Sequence, residues 1–351
     1  MRLTVQCGVV KLTKLKQNIL DREYNNIQDA IQLGSNNLEE LSIFENLKLY
    51  SANKQQAIRY FKKYKFKEYP ISLRHDLINL KKAKSFWFLK IPVYDVRGGI
   101  KIPIKPHREF PDKFSLCESK LIKKNNKYIA MITIKFDTPK LRRCSSVLAV
   151  DLGERFTATA VLLQDRNVMK VRFFGKEIRG IRRHYSWLRK RLQEKGLTKV
   201  VKRIGQKENH CVNNILNRIS KEIVSLADSA NSYIVVGDLK GIRKSTKGRR
   251  FNRIVSNMAY HKLTQMIKYK AEMLGISVIE VDETNTSKIC HICGEVGKRK
   301  TQGLFVCKTC GKYNADLNGA INIYKRLTSY MLVSGVFCEQ ALNSVVLHQI
   351  T

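Results

Sequence analysis

Four cysteines stand as two C-x2-C pairs, Cys290 with Cys293 and Cys307 with Cys310, separated by a thirteen-residue spacer. Thiolates at this spacing can close tetrahedrally on one Zn²⁺, and an ion with four protein ligands is structural rather than catalytic. Gly294 and Gly311 follow the two knuckles and allow the tight turns that the ligand loops need. The spacing predicts a zinc ribbon over 284–314. Two aspartates suggest a second kind of metal chemistry. VLAVDLG is an apolar strand ending at Asp151, with Gly153 beside it, and Asp316, in NADLNGAINIY, opens a helix. Two-metal hydrolysis of a phosphodiester needs carboxylates converging from different elements, and Mg²⁺ prefers such hard oxygen ligands. Taken singly, Asp151 also fits a turn and Asp316 an N-cap. Beside the cysteine quartet and the charge of the chain, the metal-binding reading is the stronger.

That charge is large. The 351 residues carry 66 Lys and Arg against 29 Asp and Glu, a formal +37. Such an excess repels itself unless a polyanion neutralises it, and a long nucleic acid is the usual one. An acidic membrane surface is the rival, but no basic amphipathic stripe with an aromatic face supports it. Hydrophobic residues make up 43%, which excludes a disordered chain, and 6 Pro with 19 Gly exclude a collagen-like one. MRLTVQCGVVKLTKLK has no apolar core of signal-peptide length, and no run of about 18 apolar residues exists. A cytoplasmic, nucleoid-associated prokaryotic protein is the expectation. There is no GxxxxGK[ST] loop to support ATP-driven chemistry.

The elements that must position these residues follow from periodicity. Residues 1–12 alternate as a strand, 13–84 read as a helical insert with Ile27, Ile31, Leu38 and Leu41 on one side, and 85–138 return to strand period. This is a β-barrel-like module, 1–144, split by a helical insert. Beyond it, VLAVDLG, RFTATAVLLQD and VMKVRFFG read as three strands. A basic helical region follows, then a helix from about Asn213 to Ala230, the strand YIVVGDL, a helix over 256–274, the strand ISVIEVD and a last helix from Ala315. That order is the order of an RNase H-like sheet, so 145–327 is expected to be an α/β domain with the ribbon inserted, and 328–351 a tail. The fold class is α+β, multidomain.

Two basic patches lie within this second part. Residues 165–208 hold 15 Lys and Arg against 4 Asp and Glu, with Arg182, Arg183, Trp187, Arg189, Lys190 and Arg191 in close order. Cations interleaved with an aromatic ring suit a nucleic-acid channel, where charge tracks phosphates and rings stack on bases. Lys240, Arg243, Lys244, Lys247, Arg249, Arg250 and Arg253 form the second patch, with no acid among residues 240–254. Any one such run also fits a solvated face; summed to +37, most have work to do.

AVDLGERFTATA, IVVGDLKGIRK, TSKICHICG and CKTCGKYNADLNGAINI together resemble the TnpB family, transposon-encoded RNA-guided DNA endonucleases related to compact type V CRISPR effectors. The resemblance is specific over roughly 145–327. It implies a RuvC-type nuclease domain in which Asp151 is the first catalytic aspartate and Asp316 the last, a recognition role for the helical insert of the N-terminal module, two catalytic Mg²⁺, one structural Zn²⁺, a guide RNA in a basic channel, a double-stranded DNA target, and a monomer or a homodimer on one RNA. One motif departs. The family places a glutamate directly before the aspartate that ends the middle strand, and here that residue is Gly237, followed by Asp238. Side chains alternate faces along a strand, so Asp238 points away from where a glutamate at 237 would point. Glu283, in VIEVDETNTSK, is the better candidate for the third carboxylate, though a solvated loop residue has equal claim to that position. The alternatives are a guided DNA-binding protein with a dead nuclease site and an unguided junction-type nuclease.

Overall fold

A computed structural model describes residues 1–36, 48–63, 68–84, 86–238 and 260–333. The chain divides into two compact units, Met1–Asp137 and Thr138–Thr351.

The first unit opens with β1 (Arg2–Val9), followed by helices α1 (Lys14–Asn36) and α2 (Ser51–Lys63). Strands β2 (Ile71–Leu73), β3 (Asn79–Lys82), β4 (Trp87–Ile91), β5 (Ile100–Pro106), β6 (Ser115–Leu116), β7 (Ser119–Lys124) and β8 (Lys127–Lys135) complete it. They form one antiparallel sheet in the order β2-β7-β8-β1-β5-β4-β3, with β6 also on β8. Strict alternation buries one face: Val5, Cys7, Leu89, Ile102, Ile104, Leu121, Ala130 and Ile132 are fully enclosed. The helical insert is shorter than its periodicity implied. β2 and β3 lie inside the 13–84 stretch yet belong to the sheet, because three- and four-residue strands leave too little alternation to see. In α1, Leu20, Tyr24, Ile27 and Ile31 bury one stripe, while Leu38 and Leu41 lie outside the described residues. Buried Glu23 pins α1 to its neighbours. It accepts hydrogen bonds from the Tyr50 amide (3.2 Å), Asn53 Nδ2 (2.6 Å) and the Tyr94 amide (3.0 Å).

The second unit is built on β9 (Ser146–Asp151), β10 (Ala158–Gln164), β11 (Asn167–Phe174), β12 (Ser232–Asp238) and β13 (Val278–Asp282). Their order is β11-β10-β9-β12-β13; the first three are antiparallel, and β12 and β13 run parallel to β9. This is the expected RNase H-like arrangement. Helices α3 (Lys176–Glu194), α4 (Thr198–Ser229) and α5 (Tyr260–Glu272) cover one face, and α6 (Ala315–Val333) covers the other. α4 starts well before Asn213. The break between the helices falls at Lys195–Leu197, where Gly196 takes a left-handed φ of 69°. α6 continues past 327 through Val333, so the boundary set there cuts a helix. A three-stranded ribbon, β14 (Lys298–Thr301), β15 (Leu304–Cys307) and β16 (Gly311–Asn314), is inserted between β13 and α6. No helix among the described residues is long and apolar enough to cross a membrane.

Candidate functional site

The sheet decides which face each candidate residue occupies. On β12, Ile234 and Val236 enter the core under α3, α4 and α5, whereas Tyr233 and Val235 enter the core under α6. On β9, Leu148 and Val150 face the first core and Ala149 the second. Asp151 and Gly237 therefore share the α6 face, and Asp238 falls on the opposite one. Val236 pairs with Val150, which puts Gly237 level with Asp151 at the carboxyl ends of two parallel strands. Such ends are where open α/β sheets place their ligands.

Asp316 completes the group from α6. The N-cap is not Asp316 but Asn314, whose Oδ1 accepts from the amides of Asp316 (2.9 Å) and Leu317 (3.1 Å). The Asp316 side chain is thereby free to point at the sheet end, and it is 2% exposed. One turn further on, Gly319 lets the helix lie directly on Asp151. A Cβ there would stand 3.0 Å from Asp151 Oδ2 and 3.1 Å from its Cγ.

Glu283 arrives from the other side. Two residues past Val281, the partner of Gly237, it turns its carboxylate into the space that Gly237 leaves open. A Cβ on Gly237 would lie 3.0 Å from Glu283 Cδ and 3.2 Å from Cγ, and closer still to Oε2. Thr286 holds this turn, its amide and hydroxyl donating to the Glu283 carbonyl at 3.1 and 2.8 Å. α6 fastens the segment that follows. Asn322 Nδ2 donates to the Thr286 and Ile289 carbonyls (2.8 and 2.7 Å), and Asn318 Oδ1 accepts from the His291 amide (2.9 Å).

The electrostatics are those of an anion cluster only partly compensated, by Arg299 and Arg155 at Asp316. Burial, then the neighbouring Asp316, push Asp151 up to about 7. Burial, then Asp151, Asp238 and Asp282, push Glu283 up to about 8. Burial also raises Asp316, against the pull of Arg299 and Arg155. Two carboxylate oxygens, Glu283 Oε2 and Asp316 Oδ2, are buried without a hydrogen-bond partner. A buried acceptor left unsatisfied is costly; divalent cations would satisfy both atoms and the surplus charge together. Tyr260, buried at the start of α5, has its phenol raised by burial and by the same carboxylates.

Arg299, which the sequence reading missed, donates from β14 to Asp316 Oδ1 at 2.7 Å. It sits among four consecutive exposed ribbon residues, KRKT, and its direction depends on how the ribbon packs. The cysteine quartet closes as the spacing predicts. The four sulfurs lie within 4.8 Å of one another, with 3.5 Å between those of Cys293 and Cys307. A tetrahedral Zn²⁺ with Zn–S near 2.3 Å needs sulfurs about 3.8 Å apart, so the donor set fits that ion.

The basic residues divide. Arg189 is paired with Glu208, which is 8% exposed inside the α3–α4 hairpin. Arg182 is half-buried, lowered by that burial and partly offset by Glu208. These two brace the helices. Arg183, Lys190 and Arg191 are exposed, as is Trp187, with the Arg191 guanidinium 5.7 Å from its ring centre. Lys240, Arg243, Lys244, Arg249 and Arg250 lie outside the described residues.

The second unit thus combines an RNase H-like sheet, converging carboxylates and an inserted ribbon bearing four cysteines. Residues 260–323 match the family described as Cas12f1-like, TNB domain. A TnpB-like protein of Methanocaldococcus jannaschii is 28% identical over 190 residues, covering 51% of this chain and 68% of that one. The CRISPR-associated endodeoxyribonuclease Cas12f1 of Sulfoacidibacillus thermotolerans is 30% identical over 250 residues, covering 65% of this chain and 57% of its own length. In fold, the chain is similar to Cas12f1 in a complex with sgRNA and target DNA, with a TM-score of 0.57 at 15% identity, over 88% of this chain and 80% of that one. The chain is thus similar in sequence to TnpB-like proteins and to Cas12f1, and in fold to Cas12f1.

Proposed function

We propose that this chain is an RNA-guided DNA endonuclease whose phosphodiester hydrolysis is supported by two Mg²⁺ held by Asp151, Glu283 and Asp316. Its partners would be a guide RNA and a double-stranded DNA target, bound as a monomer or as a homodimer on one RNA. The observation that carries the reading is the Glu283 carboxylate in the space over Gly237, beside Asp151 and facing α6. The family's glutamate would start from the strand at 237; here the carboxylate reaches the same sheet end from the loop. When bound, the cations would activate the attacking water and offset charge on the leaving oxygen. The protein's part is to fix three oxygen donors on three elements, with Gly237 and Gly319 keeping side chains out of their way. Zn²⁺ on Cys290, Cys293, Cys307 and Cys310 would hold the ribbon that carries Arg299 to Asp316.

The second reading is a guided DNA-binding protein that does not cut, and Gly237 is the residue in its favour. One assay separates the two. The protein is co-expressed with its flanking DNA, bound RNA is extracted, and Mg²⁺-dependent cutting of a matching target is measured for wild type, Asp151→Ala and Glu283→Ala. Loss of cutting in both variants with target binding retained supports the nuclease. A wild type that binds guide and target without cutting supports the binder, and absence of RNA removes both.

A further inference from the structure

β11 ends the sheet of the second unit and, among the described residues, pairs only with β10. Its ladder fixes which way its side chains face. Val168 pairs with Leu163, Val171 with Val161 and Phe173 with Thr159, and directly opposed residues share a face. Val161 and Leu163 are buried in the core under α6. Their neighbours on β11 are not so enclosed: Val168 is 46% and Phe173 41% exposed. The register shifts between Leu162 and Leu163, which leaves Met169 as the extra residue of a bulge, 61% exposed. α6 thus covers β9 and β10 and leaves most of the same face of β11 open. Exposed apolar residues scattered singly are ordinary, but here three stand on one eight-residue edge strand. Natural sheets cover or charge such edges, because they invite pairing with other chains.

The chain that continues from α6 has the composition to cover this one. Residues 334–351 lie outside the described residues and carry one charged side chain, Glu339, in a protein that is 27% charged. Phe337, Leu342, Val345, Val346, Leu347 and Ile350 make the segment apolar. Its starting point is also favourable. α6 begins at the Asp151 end of β9, where Gly319 lies on the carboxylate, and its Leu327 joins the same core as Leu163, the residue opposite Val168. Ten extended residues reach about 33 Å, against about 4.8 Å between neighbouring strands, so the segment is long enough to pass from α6 to the sheet edge. We propose that residues 334–351 dock on the α6 face of β11 and cover Val168, Met169 and Phe173. The contact is apolar on both sides, and removing that surface from water drives it. It fastens α6 at the end away from Asp316.

Met169 is its own reporter in the full-length protein. Under hydroxyl-radical footprinting it should oxidise several-fold more slowly in wild type than in the tail variant Leu342→Asp/Val346→Asp. Melting supplies a second reading. A side chain open to water accepts an aspartate at little cost. Met169→Asp should instead lower the melting temperature by several degrees, because the tail covers that position. Added to the tail variant, it should cost little more, since the contact is already lost. Equal oxidation of Met169 in the two proteins, or melting losses that simply add, overturns the docking. Protection of Met169 that disappears on dilution assigns the face to a second copy of the chain and overturns it as well. Neither readout involves cutting, so the docking and the nuclease reading fail separately.

Discussion

The second unit holds two clusters suited to metals, built on opposite principles. The cysteine cluster brings four sulfurs from two short knuckles to within 4.8 Å of one another. The carboxylate cluster draws one side chain from β9, one from the loop after β13 and one from α6. It leaves two buried oxygens unpartnered and pushes two carboxyls above the usual carboxylate range, to about 7 and about 8. A closed thiolate site suits an ion kept for the life of the fold. An open, self-repelling carboxylate site gains stability when cations or protons offset its charge. The two are also linked, because the ribbon brings Arg299 to Asp316 and its lead-in segment carries Glu283.

Breaking the closed site should therefore do the most damage. Cys293→Ser or Cys307→Ser should abolish the single bound zinc, read by elemental analysis. Because structural zinc contributes binding energy on the order of 10 kcal/mol, the ribbon should unfold and cutting should vanish with it. Cutting at wild-type rate by a zinc-free variant would show that the ribbon is not needed to hold Glu283.

Next comes the exchange of Gly237 with Glu283. Gly237→Glu alone should lower cutting by about 10³-fold, equivalent to about 4 kcal/mol in the barrier, because its Cβ collides with the Glu283 carboxylate. Adding Glu283→Gly should restore a large part of that loss, since the glutamate then rises from the strand into the space just vacated. A double variant no better than the single one would mean that the two positions do not share one carboxylate site.

How much of this was legible differs between the two clusters for a physical reason. C-x2-C spacing is itself the local geometry of a knuckle, so the cysteines could be read straight from the chain. Asp151 and Asp316 were visible as a strand end and a helix start, but 165 positions separate them in sequence and their meeting depends on α6 lying across the sheet. Strand parity alone disfavoured Asp238, and it is parity that puts Gly237 on the α6 face. What parity could not supply was the backward turn of the loop that brings Glu283 over Gly237, because hydrogen bonds from Asn318 and Asn322 on α6 fix that segment. Arg189 misled for the converse reason. A cation in a basic run looks available for phosphate until the fold places Glu208 against it. β2 and β3 were too short to register, and the zinc-ribbon arginine carries no local signal at all.

A smaller effect follows from pH. An unfolded carboxyl titrates near 4, and in the metal-free fold Asp151 does so at about 7 and Glu283 at about 8. Their folded values are raised, so the stability they contribute when protonated is full below about pH 4 and is lost as pH rises to about 8. Metal-free wild type should accordingly lose several degrees more of melting temperature between about pH 5 and pH 8.5 than Asp151→Asn does. Mg²⁺ should remove most of that difference. Equal pH profiles for the two proteins would mean that the cluster does not carry the repulsion assigned to it.

The smallest change sits at Gly319. Replacing a mid-helix glycine by alanine ordinarily stabilises by about 1 kcal/mol. Here the new methyl would stand 3.0 Å from Asp151 Oδ2 and 3.3 Å from Oδ1, so the carboxylate must give way by a few tenths of an ångström. The helix gains while the ligand loses its place. Gly319→Ala should keep or slightly raise the melting temperature yet need roughly threefold to tenfold more Mg²⁺ for half-maximal cutting, the low end of what displacing a metal-site support costs. A variant that melts lower would locate the strain in the helix instead. One that cuts at wild-type Mg²⁺ would show that Asp151 has room to move, and that the glycine serves the close approach of α6 to the sheet rather than the position of the carboxylate.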